Sequence, residues 1–129
     1  MQLPLYLTRV PAGFPSPNEG EVENKLDLNE YLIKHPAATF FVRVEGSSML
    51  GAGICEGDLL IVDRAKNACD GNIVLAVLDG EFTVKRLRKS NARLFLDPEN
   101  VAFEPIEITS ERDFSIWGVV TFVVHSCTR

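Results

Sequence analysis

Residues Val77–Leu87 read V-L-D-G-E-F-T-V-K-R-L. Two strand-like runs flank Asp79-Gly80. That pair suits a two-residue type I′ turn, because both central residues of such a turn sit at positive φ. The stretch predicts an antiparallel hairpin, and the pattern continues on either side of it. TFFVRVEG (39–46), DLLIVDR (58–64), GNIVLAVLDG (71–80), EFTVKRLR (81–88), ARLFLDP (92–98), FEPIEIT (103–109) and FSIWGVVTFVVHS (114–126) are short, β-branched and aromatic. Asp70-Gly71, Asp79-Gly80, Lys89-Ser90-Asn91 and Asp97-Pro98 punctuate them.

Upstream the texture changes. LDLNEYLIKHP (Leu26–Pro36) reads as one short helix. Asp27 is placed to cap it, with Glu30 at the capping-box position. Leu28, Tyr31 and Leu32 fall on one face, and Pro36 ends the run. Before it, Pro4, Pro11, Pro15 and Pro17 with Gly13 and Gly20 exclude a long helix. Leu3, Leu5 and Leu7 alternate with Pro4, Tyr6 and Thr8, a period of two that suits a strand laid against something apolar. The expected fold is therefore mostly β. A compact antiparallel β domain with one short helix occupies residues 25–129, behind an extended proline-rich arm over residues 1–24.

The 129 residues are 46% hydrophobic and 24% charged, a globular composition with enough chain for one core. The net charge of -5 carries no footprint for nucleic acid or an anionic membrane. Cys55, Cys69 and Cys127 are odd in number and form no CxxC, which argues against a disulfide framework or a zinc site and for a reducing compartment. His35 and His125 lack metal-ligand spacing, so no metal and no cofactor are expected. No apolar run reaches the ~18 residues of a spanning helix, and MQLPLYLTRVP lacks the basic start of a secretion signal. The expected location is the cytoplasm.

The chemistry centres on VEGSSMLGAGICEGD, Val44–Asp58. Neither histidine offers a Ser-His-Asp spacing, so a serine nucleophile here needs another base. Neutral lysine is the available one. Counting by twos from Phe40 puts Ser48 on the apolar side of an extended chain and Ser47 on the wetter side. The residues alone leave open a serine pair that caps a turn. In EFTVKRL, Thr83, Lys85 and Leu87 share one face and Phe82, Val84 and Arg86 the other. Both faces are mixed, so a solvated edge lysine stays open too. To act as a base Lys85 must be desolvated, since burial lowers a lysine by roughly 3–5 pH units from about 10.4.

AGFPSP, LDLNEYLIKHPAATFFV, GSSM with GAGICEGDLLIVDR, DGEFTVKRL and WGVVTFVVHS together resemble the UmuD branch of the LexA-like self-cleaving serine peptidases. The resemblance runs from about Val10 to the C-terminus. It implies a fold of the LexA/UmuD C-terminal type. It maps the nucleophile to Ser48, the Gly-x-Ser-Met serine, and the general base to Lys85. It maps the scissile bond to Ala12-Gly13, and the backbone amides of Ser48 and Met49 are the expected oxyanion donors. It implies removal of Met1–Ala12, promoted by a RecA nucleoprotein filament. The resulting homodimer would serve a UmuC-like polymerase subunit in SOS mutagenesis, without touching nucleic acid itself. A repressor of this kind carries a helix-turn-helix domain upstream, and none is expected here. The alternative is a non-catalytic β-rich module of the same fold that pairs Leu3, Leu5 and Leu7 with a partner's sheet edge.

Overall fold

The computed structural model describes residues 2–6 and 22–128. The chain divides into two units, Met1–Lys34 and His35–Arg129. The expected cleavage site, Ala12-Gly13, lies outside the described residues, as do Leu7, Pro11, Pro15 and Pro17.

In the first unit, β1 (Gln2–Tyr6) pairs antiparallel with β2 (Val22–Asp27), with Leu3 opposite Leu26. The alternation of Leu3 and Leu5 therefore does report a strand, and its hydrogen-bonded partner is β2 of the same chain. Helix α1 follows as Leu28–Leu32, with the Asp27 side chain accepting from the Asn29 N–H at 3.0 Å. The helix is shorter than the Leu26–Pro36 run. Leu26 and Asp27 are spent on β2, and Ile33 is already extended.

The second unit is one antiparallel seven-stranded sheet. Its strands are β3 (Thr39–Arg43), β4 (Leu59–Asp63), β5 (Ile73–Leu78), β6 (Glu81–Ser90), β7 (Arg93–Asp97), β8 (Ile106–Ile108) and β9 (Phe114–Val124), in the order β3-β4-β9-β5-β6-β7-β8. Every strand-like run of the sequence becomes one of these. Asp79 at φ 50° and Gly80 at φ 86° make the expected type I′ turn, with Leu78 opposite Glu81. The next turn lies later than Lys89-Ser90-Asn91: Ser90 still pairs with Arg93, and Asn91 and Ala92 turn the chain at φ 49° and 63°.

Alternation along β5 feeds apolar clusters on both faces. Leu75 packs with Met49, Ile54, Leu60 and Val62, while Val74 and Ala76 pack with Leu87 and Leu96. On β9 a Cβ at Gly118 would stand 2.6 Å from Cγ1 of fully buried Val62 on the paired strand β4, a close approach that glycine permits.

One detail of register prepares the site. β7 pairs with β6 only over Arg86–Ser90. Among the described residues, the Glu81–Lys85 half of β6 has a ladder on its β5 side alone.

Candidate active site

Ser48 stands in the loop after β3. Gly46, at φ 84°, turns the chain out of its extended path, so the count by twos from Phe40 does not carry through to Ser48. What holds the loop is its neighbour. Met49 is 3% exposed and anchors in the cluster with Ile54 and Leu75, while a short 3-10 turn, Leu50–Ala52, follows. Gly53 and Gly57, at φ 79° and 88°, close the remaining turns.

Lys85 lies in β6 opposite Val74 of β5. Its Nζ donates to Ser48 Oγ at 3.0 Å, to Thr83 Oγ1 at 2.7 Å and to the Val84 carbonyl at 3.1 Å. Burial pushes its pKa below the ordinary lysine value, because desolvation penalises the charged form. Half-buried and bonded to three groups, the side chain is on an edge but is not freely solvated. Around the pair opens a cleft of about 340 Å³, with Val42, Val44 and Leu75 among its apolar walls and Phe82 exposed at its side. A desolvated amine bonded to a serine hydroxyl is the arrangement a Ser/Lys acyl-transfer site requires.

A match to the family described as peptidase S24-like spans residues 4–121. The chain belongs to the peptidase S24-like family. It is 48% identical to protein SamA of Salmonella typhimurium over 122 residues, 95% of this chain and 84% of that protein. It is 48% identical to protein MucA of Escherichia coli over 120 residues, 92% of this chain and 82% of that one. LexA repressor 2 of Pseudomonas syringae pv. tomato is 40% identical over 125 residues, 97% of this chain but 61% of the repressor. The resemblance carried by the motifs is thus borne out at the level of family.

Some residues of this S24-like site escape a reading of the sequence. Thr83 had a signal, since alternation already places it on the face of Lys85. The stretch Pro98–Asn100 had none, yet it meets the Ser48 loop directly: the Glu99 N–H donates to the Ser48 carbonyl at 2.7 Å. Both histidines pair with buried aspartates flanking or ending β4, His125 with Asp58 and His35 with Asp63, each at 2.6 Å. Separations of 67 and 28 residues hide such pairs from any local pattern. Cys55, Asp58 and His125 also bring one potential metal-ligand atom each within 4.8 Å of the others. There Asp58 accepts from the Cys55 N–H at 2.8 Å and binds His125 through its other oxygen. Its carboxylate ties the loop before β4 to the end of β9. Among the described residues, no helix is long and apolar enough to cross a membrane.

Proposed function

We propose that the protein is a self-cleaving serine peptidase of the SOS mutagenesis response, with Ser48 as nucleophile and Lys85 as general base. The observation that carries this reading is the 3.0 Å contact between Lys85 Nζ and Ser48 Oγ, with the lysine desolvated. The scissile bond is Ala12-Gly13. Neutral Lys85 takes the Ser48 hydroxyl proton as Oγ attacks the Ala12 carbonyl carbon. The tetrahedral intermediate collapses, the C–N bond breaks, and Lys85 passes the proton to the Gly13 amine. Water, deprotonated by Lys85, then attacks the Ala12–Ser48 ester, the bond to Oγ breaks, Lys85 returns the proton to Ser48, and Met1–Ala12 leaves as a carboxylate.

Two features support this chemistry. Among the described residues, neither the Ser48 nor the Met49 N–H donates to another group, which leaves both for the oxyanion. The one-sided Glu81–Lys85 edge beside the cleft suits an extended peptide added as a strand. Small residues at Ala12 and Gly13 let that peptide come close. Its source is this chain or a second copy.

The biological setting is the one that the motif resemblance implies. The cleaved protein acts in the cytoplasm as a homodimer, as the accessory of a UmuC-like subunit in an error-prone translesion polymerase, and a RecA filament promotes its cleavage. Mass spectrometry of protein held at alkaline pH tests the chemistry. Loss of Met1–Ala12 is expected in the wild type and not in Ser48→Ala or Lys85→Ala. Cleavage that survives Ser48→Ala sinks the assignment.

The non-catalytic module that pairs Leu3, Leu5 and Leu7 with a partner's edge has less behind it. The strand carrying Leu3 and Leu5 already pairs with β2, and nothing in that alternative calls for a desolvated lysine against a serine.

A further inference from the structure

We propose that Asn100 is a positioning residue for the Ser48 nucleophile, the side-chain member of a clamp that the loop after β7 closes over the Ser48 loop. This deepens the Ser48/Lys85 reading and rests on it.

The clamp has three bonds across the two loops. Asn100 Nδ2 donates to the Ser47 carbonyl at 2.9 Å. The Glu99 N–H donates to the Ser48 carbonyl at 2.7 Å, and the Gly51 N–H donates to the Glu99 carbonyl at 2.7 Å. Together they hold the backbone before, at and after the nucleophile. The approach is close enough to need glycine. A Cβ at Gly51 would lie 2.7 Å from the Glu99 carbonyl oxygen, a backbone atom that cannot swing aside.

The same loop is tied to the strand of the base. Arg86, next to Lys85, donates through Nε to Glu99 Oε1 at 2.5 Å and through Nη1 to the Gly71 carbonyl at 2.6 Å. Glu99 thus holds the nucleophile's loop with its backbone and the base's strand with its side chain. Strand β6 and the Ser48 loop are 37 residues apart in sequence, so their relative placement needs such a link. A nucleophile displaced by even ~1 Å loses much of its rate. Asn100 adds a bond that the Glu99 backbone cannot, because it fixes the peptide group preceding Ser48.

Asn100 also offers a clean substitution. Its Oδ1 accepts from the Ala102 N–H at 2.9 Å. Asn100→Asp keeps that acceptor and so keeps the local turn, but removes the donor to Ser47. Asn100→Ala removes both and guards against an effect of the new charge.

The experiment measures the self-cleavage rate of the full chain against pH for wild type, Asn100→Asp, Asn100→Ala and Ser48→Ala, with circular dichroism to establish a native sheet. The expected result is a plateau about tenfold lower in both Asn100 variants, with the alkaline midpoint unmoved in Asn100→Ala, which brings no new charge near Lys85. A general loosening would let water reach Lys85 and raise the midpoint. A plateau equal to wild type overturns the proposal. So does a lower plateau with a raised midpoint in Asn100→Ala. Cleavage in Ser48→Ala instead overturns the nucleophile assignment and leaves its mark in that variant alone.

Discussion

Lys85 Nζ lies 3.0 Å from Ser48 Oγ, and the residue two places before it, Thr83, holds the same nitrogen at 2.7 Å. The amine is thus aimed by its own strand. Aim and desolvation are separate requirements, and each is open to test.

The first test is pH. Only neutral lysine accepts the serine proton, so self-cleavage rises with pH through the pKa of Lys85. Burial lowers that pKa, so the midpoint falls below the ordinary lysine value of about 10.4. The same shift has a thermodynamic face. Below the folded pKa the native state holds a charge it disfavours. That penalty fades as pH rises towards the unfolded value. The melting temperature of Lys85→Met relative to wild type should therefore decline with pH between the two values. A midpoint at or above 10.4, from cleavage rates across a pH series, would remove desolvation from the mechanism.

The Thr83 hydroxyl is the second. Thr83→Val keeps the shape and removes the 2.7 Å bond, so cleavage should slow about tenfold at its plateau. Thr83→Ser restores the hydroxyl and should recover most of the rate. If valine and serine behave alike in single-turnover cleavage, the hydroxyl does not aim the lysine.

Gly118→Ala probes packing away from the site. The new Cβ meets Val62 Cγ1 at 2.6 Å and the Asp63 carbonyl at 3.1 Å, where β9 pairs with β4. Overpacking of this kind costs about 1–3 kcal/mol. Urea unfolding should show a lower midpoint with an unchanged slope.

Acid stability tests Asp63. Burial alone would raise its pKa, but its bonds with His35 and the Ala65 N–H hold the carboxyl below its ordinary range. A depressed carboxyl stabilises above its unfolded value, near 3.9, and that stabilisation is lost as pH falls through the folded value. Asp63→Asn should be less stable at pH 7, and the gap should close as pH drops below about 4. Denaturant midpoints at pH 7, 5 and 3 would reveal it. A gap that does not change with pH would mean the carboxylate charge contributes nothing.

Much of this was legible in the chain. Alternating β-branched runs between Asp-Gly and Asp-Pro breaks specified the strands, because a half-buried strand has a period of two. Asp79-Gly80 specified a turn type, because few residue pairs accept two positive φ angles. The combination of GSSM with EFTVKRL specified the family. Local pattern failed where geometry left the strand. Gly46 ended the alternation before Ser48, and β2 took Leu26 from the helix, while Asp27 caps it as its position suggested.

The sequence by itself therefore determined the seven strand runs of the large sheet, where the tight hairpin turns, and that Ser48 and Lys85 were the pair to watch. Only the tertiary structure decided that Lys85 is half-buried against Ser48, that Thr83 bonds its amine, and that Glu99 and Asn100 grip the backbone around Ser48. The physical reason is range. Periodicity and turn chemistry act over a few residues. Burial and hydrogen bonds across 37 or 53 positions exist only once the sheet has brought its loops together.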